Sequence, residues 1–510
     1  MDETFMQNVA QKCDHFENDP ETFKSWLNKI EKFTLDFTQK CSLIDTKARD
    51  VEQKHTNKEP MGEEDELDHS NIDDKAHIEE LGKAKEVSRL KGWGKMDFSE
   101  QWDMDKALGV IQENMGYTGG KVGCRLGFIP SSGLVVSCLG ELLARIINPH
   151  TALFYSNPGA VQLEEEMVRW LVEFVGMPTS SQGALVSGAS IASIMAVRTA
   201  VQAKHIKARD YHRQVVYITQ HTHRCILKAL KICGMAECEV RTVKHDYGTR
   251  MDPEHLETSL KEDMQNGLHP FMIIATLGNV DIGAIDPLDA IATVAKRHDT
   301  WFHVDAAYGG FYMFSKEVRQ KSKGVELADS LIISPHKGLN LPWGSSALLV
   351  KHGAYLHAAM TLDTQGNYLA DTQHDHYSPS EYSLELSRPF RALPLWLTLR
   401  LLGTSHFEDC IREKMALTMF CYDELKKIPD IKVGPVPELS IVAFQLKSKD
   451  NKKLDELLTK INQDGRLYLS STKIDGELYI RLSFNSMSTH TTHVKKALQI
   501  IKEFLMLILI

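Results

Sequence analysis

Residues 301–310 (WFHVDAAYGG) put an aspartate, Asp305, at the end of an apolar run, and residues 334–344 (SPHKGLNLPWG) put a lysine, Lys337, in a turn after another such run. A lysine amine can form a Schiff base with an aldehyde, and a buried carboxylate seeks a cation such as a protonated ring nitrogen. Pyridoxal phosphate uses both groups: the lysine anchors it, the acid keeps its ring protonated, and the ring withdraws electrons from a substrate's α carbon. Asp305 is followed by Ala306 and Ala307, whose small side chains leave room for a flat ring. Taken alone, the aspartate could cap the turn before Gly309 and Gly310, and a lone turn lysine is usually solvated. Together, and each following a strand, they point to cofactor chemistry.

A phosphate needs donors. Residues 186–192 (VSGASIA) set glycine and small hydroxyl residues before the apolar helical run 194–200, so backbone N–H groups at the helix start could meet an anion. No GxxxxGK accompanies them, and by itself this stretch reads as a turn and cap. His221 and His223 in QHTHR follow the strand 215–219. No acid or cysteine cluster at ligand spacing joins them, so no metal is expected, whereas stacking over a cofactor ring takes only one histidine. His374 and His376 in QHDHY read as an exposed polar loop.

The elements that must position these groups follow from hydrophobic patterning. Short β-branched runs at 215–219, 272–276, 302–304, 331–333 and 347–350 read as buried strands. Between two of them, residues 287–298 (PLDAIATVAKRH) place Leu288, Ile291, Val294 and Ala295 on one helical face, with Pro287 in the first turn and Asp286 as a candidate cap. The unit is a βαβ crossover. Its repetition predicts an α/β fold with a mainly parallel sheet covered by helices and ligands at the carboxyl ends of the strands. Beyond 381, helices at 393–402 and 408–427 precede strands at 439–446, 468–471 and 478–484 and a last helix starting near Thr492, which reads as a small α+β domain. Residues 1–90 read as a helical N-terminal segment with an acidic linker at 57–74, so the expected organisation is 1–90, a large cofactor-binding domain over 91–380, and 381–510.

Bulk properties narrow the function. The 510 residues suffice for a large domain and smaller ones, and 43% hydrophobic with 25% charged residues is ordinary for a globular chain. A formal charge of −9 argues against nucleic acid or an anionic membrane as partner. Nine cysteines without a CxxC pair, and residues 1–16 without the apolar run of a secretion signal, predict a cytoplasmic setting. The closing run 504–510 (FLMLILI) is far below the roughly 20 residues of a membrane span and is expected to pack.

Five motifs, in order, carry a resemblance: GFIPSSG at 127–133, SNPGAVQLEEEMVRW at 156–170, ATLGNVDIGAIDP at 275–287, HVDAA at 303–307 with PHK at 335–337, and LSRPFRAL at 386–393. Over about residues 90–505 the chain resembles the group II pyridoxal-phosphate decarboxylases of fold type I, which include aromatic L-amino-acid, histidine and glutamate decarboxylases. The resemblance implies a mainly parallel seven-stranded sheet and decarboxylation of an L-amino acid. It also implies that Lys337 forms the Schiff base, Asp305 pairs with the pyridinium, Ala307 packs beneath the ring and His223 stacks above it. Phosphate contacts would come from Ala189, Ser190, Ser334 and His336. Tyr368, in GNYLA, matches the loop tyrosine that protonates the substrate carbon, with Tyr355, Tyr377 and Tyr382 as neighbours able to compete. Phe128, Ile129, Pro130 and Ser131 match the substrate pocket, and Phe154 and Tyr155 match a stretch entering it from a partner subunit, so the implied assembly is a homodimer with shared active sites.

The chain departs from the family pattern at Ser334, where asparagine is common, at Asn279 and Val280, where threonines are common, and at Ile191 and Ser193 in the phosphate turn. The apolar pocket stretch favours an aromatic substrate. The alternatives are an acidic or basic amino acid, a carbon–carbon lyase of the sphingosine-phosphate lyase type, and a non-catalytic relative that serves as a binding protein.

Overall fold

The computed structural model of the chain describes residues 102–114, 123–130, 133–361 and 376–509, with scattered positions between 21 and 32. Two compact units are present, one of Met1–Cys124 with Thr459–Tyr468 and the other of Arg125–Leu458 with Leu469–Ile510. In the first, the described part includes the helix Met104–Asn114 and an ion pair of Lys29 with Asp105 at 2.6 Å. The described positions between 21 and 32 are helical, and the rest of 1–90, including the acidic linker, lies outside the described residues.

The second unit is built on a seven-stranded sheet of β1 (Gln182–Val186), β2 (Gln214–Ile218), β3 (Glu239–Thr242), β4 (His269–Thr276), β5 (Trp301–Ala306), β6 (Ser330–Ile333) and β7 (Ser346–Val350). Their order is β1-β7-β6-β5-β4-β2-β3. Neighbours from β3 through β6 are parallel, while β7 runs antiparallel to both β6 and β1. The two reversals restore β1 to the direction of the central strands, so β1, β5 and β6 end on one edge.

Alternation along these strands feeds two cores. Phe302, Val304 and Ala306 join Val215, Tyr217, Leu331 and Ile333 on one face, whereas Trp301 joins Val216, Ile218, Ile332 and Leu348 on the other. A sheet buried on both faces needs apolar residues at odd and even positions, which is why these strands read as continuous runs. Asp305 follows the parity of Trp301 and therefore faces the side covered by the helix Ala189–Ala203 (α1) and the helix Cys225–Ile232 (α2). Gly309 has a steric reason: a Cβ there would stand 2.3 Å from the carbonyl oxygen of Leu277.

The crossover helix spans Leu288–Arg297 (α3) and buries the expected face. Asp286 does not cap it. Its carboxylate instead accepts N–H bonds from Met251 and Thr276, both at 2.7 Å, because the chain turns inward at the end of β4. The two helices expected after 392 form one run, Ala392–Lys426 (α4), kinked at Gly403, whose φ of 74° and ψ of 160° break the helical path.

A second, antiparallel sheet of order β10-β11-β9-β8 follows, made of β8 (Ile431–Val433), β9 (Ile441–Leu446), β10 (Ser470–Ile474) and β11 (Glu477–Ser483). The terminal helix Thr491–Leu509 (α5) buries Val494, Leu498, Ile501, Leu505 and Ile508. The closing apolar run is packed on one side only, since Met506, Leu507 and Leu509 are exposed. No helix among the described residues is long and apolar enough to cross a membrane.

Candidate active site

Asp305 is the penultimate residue of β5, level with Thr276 of β4 and Ile332 of β6. It is buried, and its Oδ1 accepts the N–H of Ala307 at 3.1 Å. Its second oxygen takes no hydrogen bond from the described residues. Lys337 lies in a single helical turn, Pro335–Gly338, entered directly from β6. Burial lowers its pKa, opposed chiefly by the negative charge of Asp305. Its Nζ makes no hydrogen bond and no ion pair among the described residues. A half-buried lysine and a buried carboxylate that influence each other yet do not pair leave room for a group between them, with an aldehyde for the one and a cationic nitrogen for the other.

His223 follows β2 on the turn before α2. Partial desolvation of the ring lowers its pKa; Asp305 raises it and Lys337 lowers it further, which puts all three groups at one locus. Nδ1 of His223 accepts the N–H of Cys225 at 3.2 Å, so the neutral ring carries its proton on Nε2. His221 points elsewhere. It is buried and bonds Asp281 through Nδ1 at 2.8 Å. Among the described residues no group of three ligating side chains is placed to hold a metal.

The amides of Ala189 and Ser190 head α1, whose N-terminal neighbour Gly188 is extended and offers no side-chain cap. β1 delivers this helix start to the edge where β5 and β6 end, so the unused first-turn N–H groups face the same region as Lys337. Ser193, at a departure from the family pattern, turns its hydroxyl back to the Ala189 carbonyl at 2.7 Å and leaves those amides untouched. Ser334 is fully buried and shares a hydrogen bond of 2.7 Å with Ser346 Oγ. His336 donates through Nδ1 to the Ser345 carbonyl, which directs Nε2 the other way, and burial lowers its pKa. Asn279 is structural here: it donates to Thr249 Oγ1 at 2.8 Å and accepts from the amides of Ile282 and Gly283 at 3.0 and 3.2 Å.

Of the pocket residues, Ile129 is buried, Pro130 half-buried and Phe128 exposed, while Ser131 lies outside the described residues. Tyr155 is exposed, and Phe154 stacks on the exposed His376 with ring centroids 4.1 Å apart. Tyr368 and His374 also lie outside the described residues. Of the competing tyrosines, Tyr377 is buried and donates to the Gly183 carbonyl at 3.0 Å, which removes its hydroxyl from the site.

Sequence reasoning missed Cys225. It opens α2, and burial raises its pKa to about 11, with Asp305 adding to the rise and Ser193 and Lys337 opposing it. A neutral thiol therefore lines the site, bonded to Ser193 at 3.4 Å. No pattern in HTHRC marks it, because its neighbours Ser193, Asp305 and Lys337 come from elements far from it along the chain.

The conserved domain of pyridoxal-dependent decarboxylases matches residues 127–447. An aromatic-L-amino-acid decarboxylase of Bacillus atrophaeus is 30% identical over 74% of this chain and 80% of its own length. Tyrosine decarboxylase 2 of Arabidopsis thaliana is 31% identical over 74% and 72%, and phenylacetaldehyde synthase of the same plant 28% over 74% and 80%. The fold is shared with a tryptophan decarboxylase of Catharanthus roseus solved with L-tryptophan, which has a TM-score of 0.74 at 24% identity over 87% of this chain and 100% of that one. Mouse CSAD in apo form shares it too, with a TM-score of 0.76 at 23% identity over 95% and 99%. With its acid, its lysine and its domain in place, this chain belongs to the pyridoxal-dependent decarboxylase family.

Proposed function

We propose that this enzyme decarboxylates an aromatic L-amino acid to the corresponding amine and carbon dioxide. The observation that carries the chemistry is the unpaired placement of Asp305 and Lys337 at one strand edge beside a helix start. The aromatic substrate is supported by the apolar pocket residues Phe128 and Ile129 and by the names of the relatives.

Lys337 would bind the cofactor through its amine and yield that position to the substrate's amine. Asp305 would hold the proton on the ring nitrogen, Ala307 would bound one ring face, and the neutral imidazole of His223 would cover the other. The amides of Ala189 and Ser190, with His336, would take the phosphate, while Ser334 fixes the turn that carries the lysine. When bound, pyridoxal phosphate accepts the electron pair released as carbon dioxide leaves. Tyr368 would return a proton to the α carbon. Ile129 and Pro130 would bound the substrate side chain.

The assembly we infer is a homodimer. The helix Val135–Ile147 exposes Val135, Leu139, Leu142, Leu143, Ile146 and Ile147, an apolar stripe larger than a soluble monomer usually leaves to water. Phe128 and Tyr155 are exposed as well, as residues reaching a partner's site would be. We also keep lobe boundaries near 90 and 380, supported by the two sheets falling on either side of 380, and a cytoplasmic setting, supported by seven described cysteines that are all free.

A second reading has a specific basis, since one relative is named a phenylacetaldehyde synthase. Incubating the cofactor-loaded enzyme with tryptophan, tyrosine, dihydroxyphenylalanine, histidine, glutamate and diaminobutyrate, and measuring amine, aldehyde and carbon dioxide, decides between them. Amine from the aromatics alone is expected. Aldehyde as the main product favours the second reading, and amine from glutamate or diaminobutyrate overturns the aromatic pocket.

A further inference from the structure

We propose that Asn485 is a positioning residue that sets the spacing between the pocket wall at Ile129 and the cofactor lysine, Lys337. The inference rests on the functional reading above. Asn485 follows β11 on the connection to α5, far from the strand edge in sequence, and is buried. One Nδ2 hydrogen goes to the main-chain carbonyl of Ile129 at 2.9 Å and the other to that of Lys337 at 2.8 Å. Oδ1 accepts the hydroxyl of Tyr312 at 2.8 Å. Every hydrogen-bonding atom of the amide group is used, and each bond leads to a different segment.

One planar NH2 group that serves two carbonyls fixes the distance between them at about 5 Å, the separation set by two ordinary hydrogen bonds diverging at about 120°. Ile129 thus sits at a set height above the lysine turn. Asparagine alone meets the requirement: aspartate has no donor, serine has one, and glutamine carries its amide one methylene too far. The connection is braced from both sides. Asn340, itself at a φ of 52°, donates to the carbonyls of Lys337 and Asn485 at 3.3 and 3.2 Å and accepts the N–H of Met487 at 3.2 Å. On the far side Tyr312 and Tyr308 both bond Ser440, which anchors the node in the loop before β9. Asn485 touches neither the lysine amine nor the Asp305 carboxylate, so it acts through the main chain of Ile129 and Lys337.

The test compares wild type with Asn485→Ala and Asn485→Asp, the second keeping the shape of the side chain while losing the donors. In the cofactor-free protein, hydrogen–deuterium exchange of segments 127–130 and 338–341 is expected to quicken together in both variants. With cofactor bound, KM for an aromatic amino acid should rise and kcat should fall per bound cofactor, lowering kcat/KM on the order of tenfold to a hundredfold, as a sub-ångström to ångström misplacement does. Tyr312→Phe, which leaves both donors in place, is expected to keep exchange at the two segments near wild type. Variants that match wild type in exchange, KM and kcat overturn the role, as does a loss of thermal stability alone with all three unchanged. A wild-type chain that binds the cofactor but forms no amine sinks the functional reading instead, and the exchange comparison still decides whether Asn485 couples the two segments.

Discussion

Asp305 and Lys337 act on each other electrostatically without forming an ion pair. The carboxylate raises the proton affinity of the amine while burial lowers it, and burial prevails. A lysine so placed is easier to deprotonate than one in water, which is the state needed to attack an aldehyde.

Lys337→Ala is expected to bring turnover below about a thousandth of wild type, since no other amine among the described residues shares its locus. Cofactor should still bind through the phosphate donors, weakly. Absorbance of the dialysed protein and amine release check both parts, and a variant with near-normal turnover would falsify the assignment.

Replacing Tyr368 by phenylalanine should cost amine output a factor of roughly 10² to 10⁴, the usual worth of a positioned proton donor. Aldehyde is expected in its place. Product analysis by chromatography settles it; unchanged amine would move the role to Tyr355 or Tyr382.

Glu164 and Arg388 form an ion pair of 2.7 Å with neither side chain reaching solvent. Glu164 also accepts the N–H of Leu185 at 3.3 Å, and Arg388 donates to the same residue's carbonyl at 2.5 Å, so the pair clamps β1 from the side opposite the sheet. Arg388→Ala strands a buried carboxylate and should destabilise the fold by about 3–5 kcal/mol. Replacing both with hydrophobic residues of similar volume should recover most of that loss, and equal losses in the single and double variants would show that packing, not charge, is what was removed.

Burial raises the Asp286 carboxyl from its ordinary value near 3.8 to about 6, despite two N–H donors. The folded chain therefore holds this proton to a higher pH than the unfolded chain does. The associated stability is fully present below pH 4 and is lost as pH rises to about 6, a change of roughly 3 kcal/mol at 1.36 kcal/mol per pH unit. Asp286→Asn cannot ionise, so its denaturation free energy should lack that fall between pH 4 and pH 7. Parallel curves for the two proteins across this range would show that the carboxyl is not shifted.

The sequence made some of this legible and hid the rest for physical reasons. β2, β4, β5 and β6 announce themselves because both of their faces are buried and their central positions are mostly apolar, and Asp305, near the end of β5, and Lys337, in the turn after β6, stand out against them. β1 (QGALV) and β3 (EVRT) were not foreseen. β3 is a polar edge strand, and β1 is short and carries a glycine whose absent side chain lets the Leu348 carbonyl approach, where a Cβ would stand at 2.2 Å. The roles of Cys225 and Asn485 were invisible because they come from partners far along the chain; Asn485 and Lys337 are 148 residues apart. The kink at Gly403 showed only as a gap between two expected helices.

β1 has one neighbour in the sheet, β7, which the ribosome delivers about 160 residues later. Until that strand emerges, β1 has no partner in the sheet, and the helix start that would grip the phosphate is held only by the packing of α1 on α2 and β6. Nascent chains ending before residue 346 should therefore bind no cofactor although Asp305 and Lys337 are already made, and competence should appear abruptly once β7 is available.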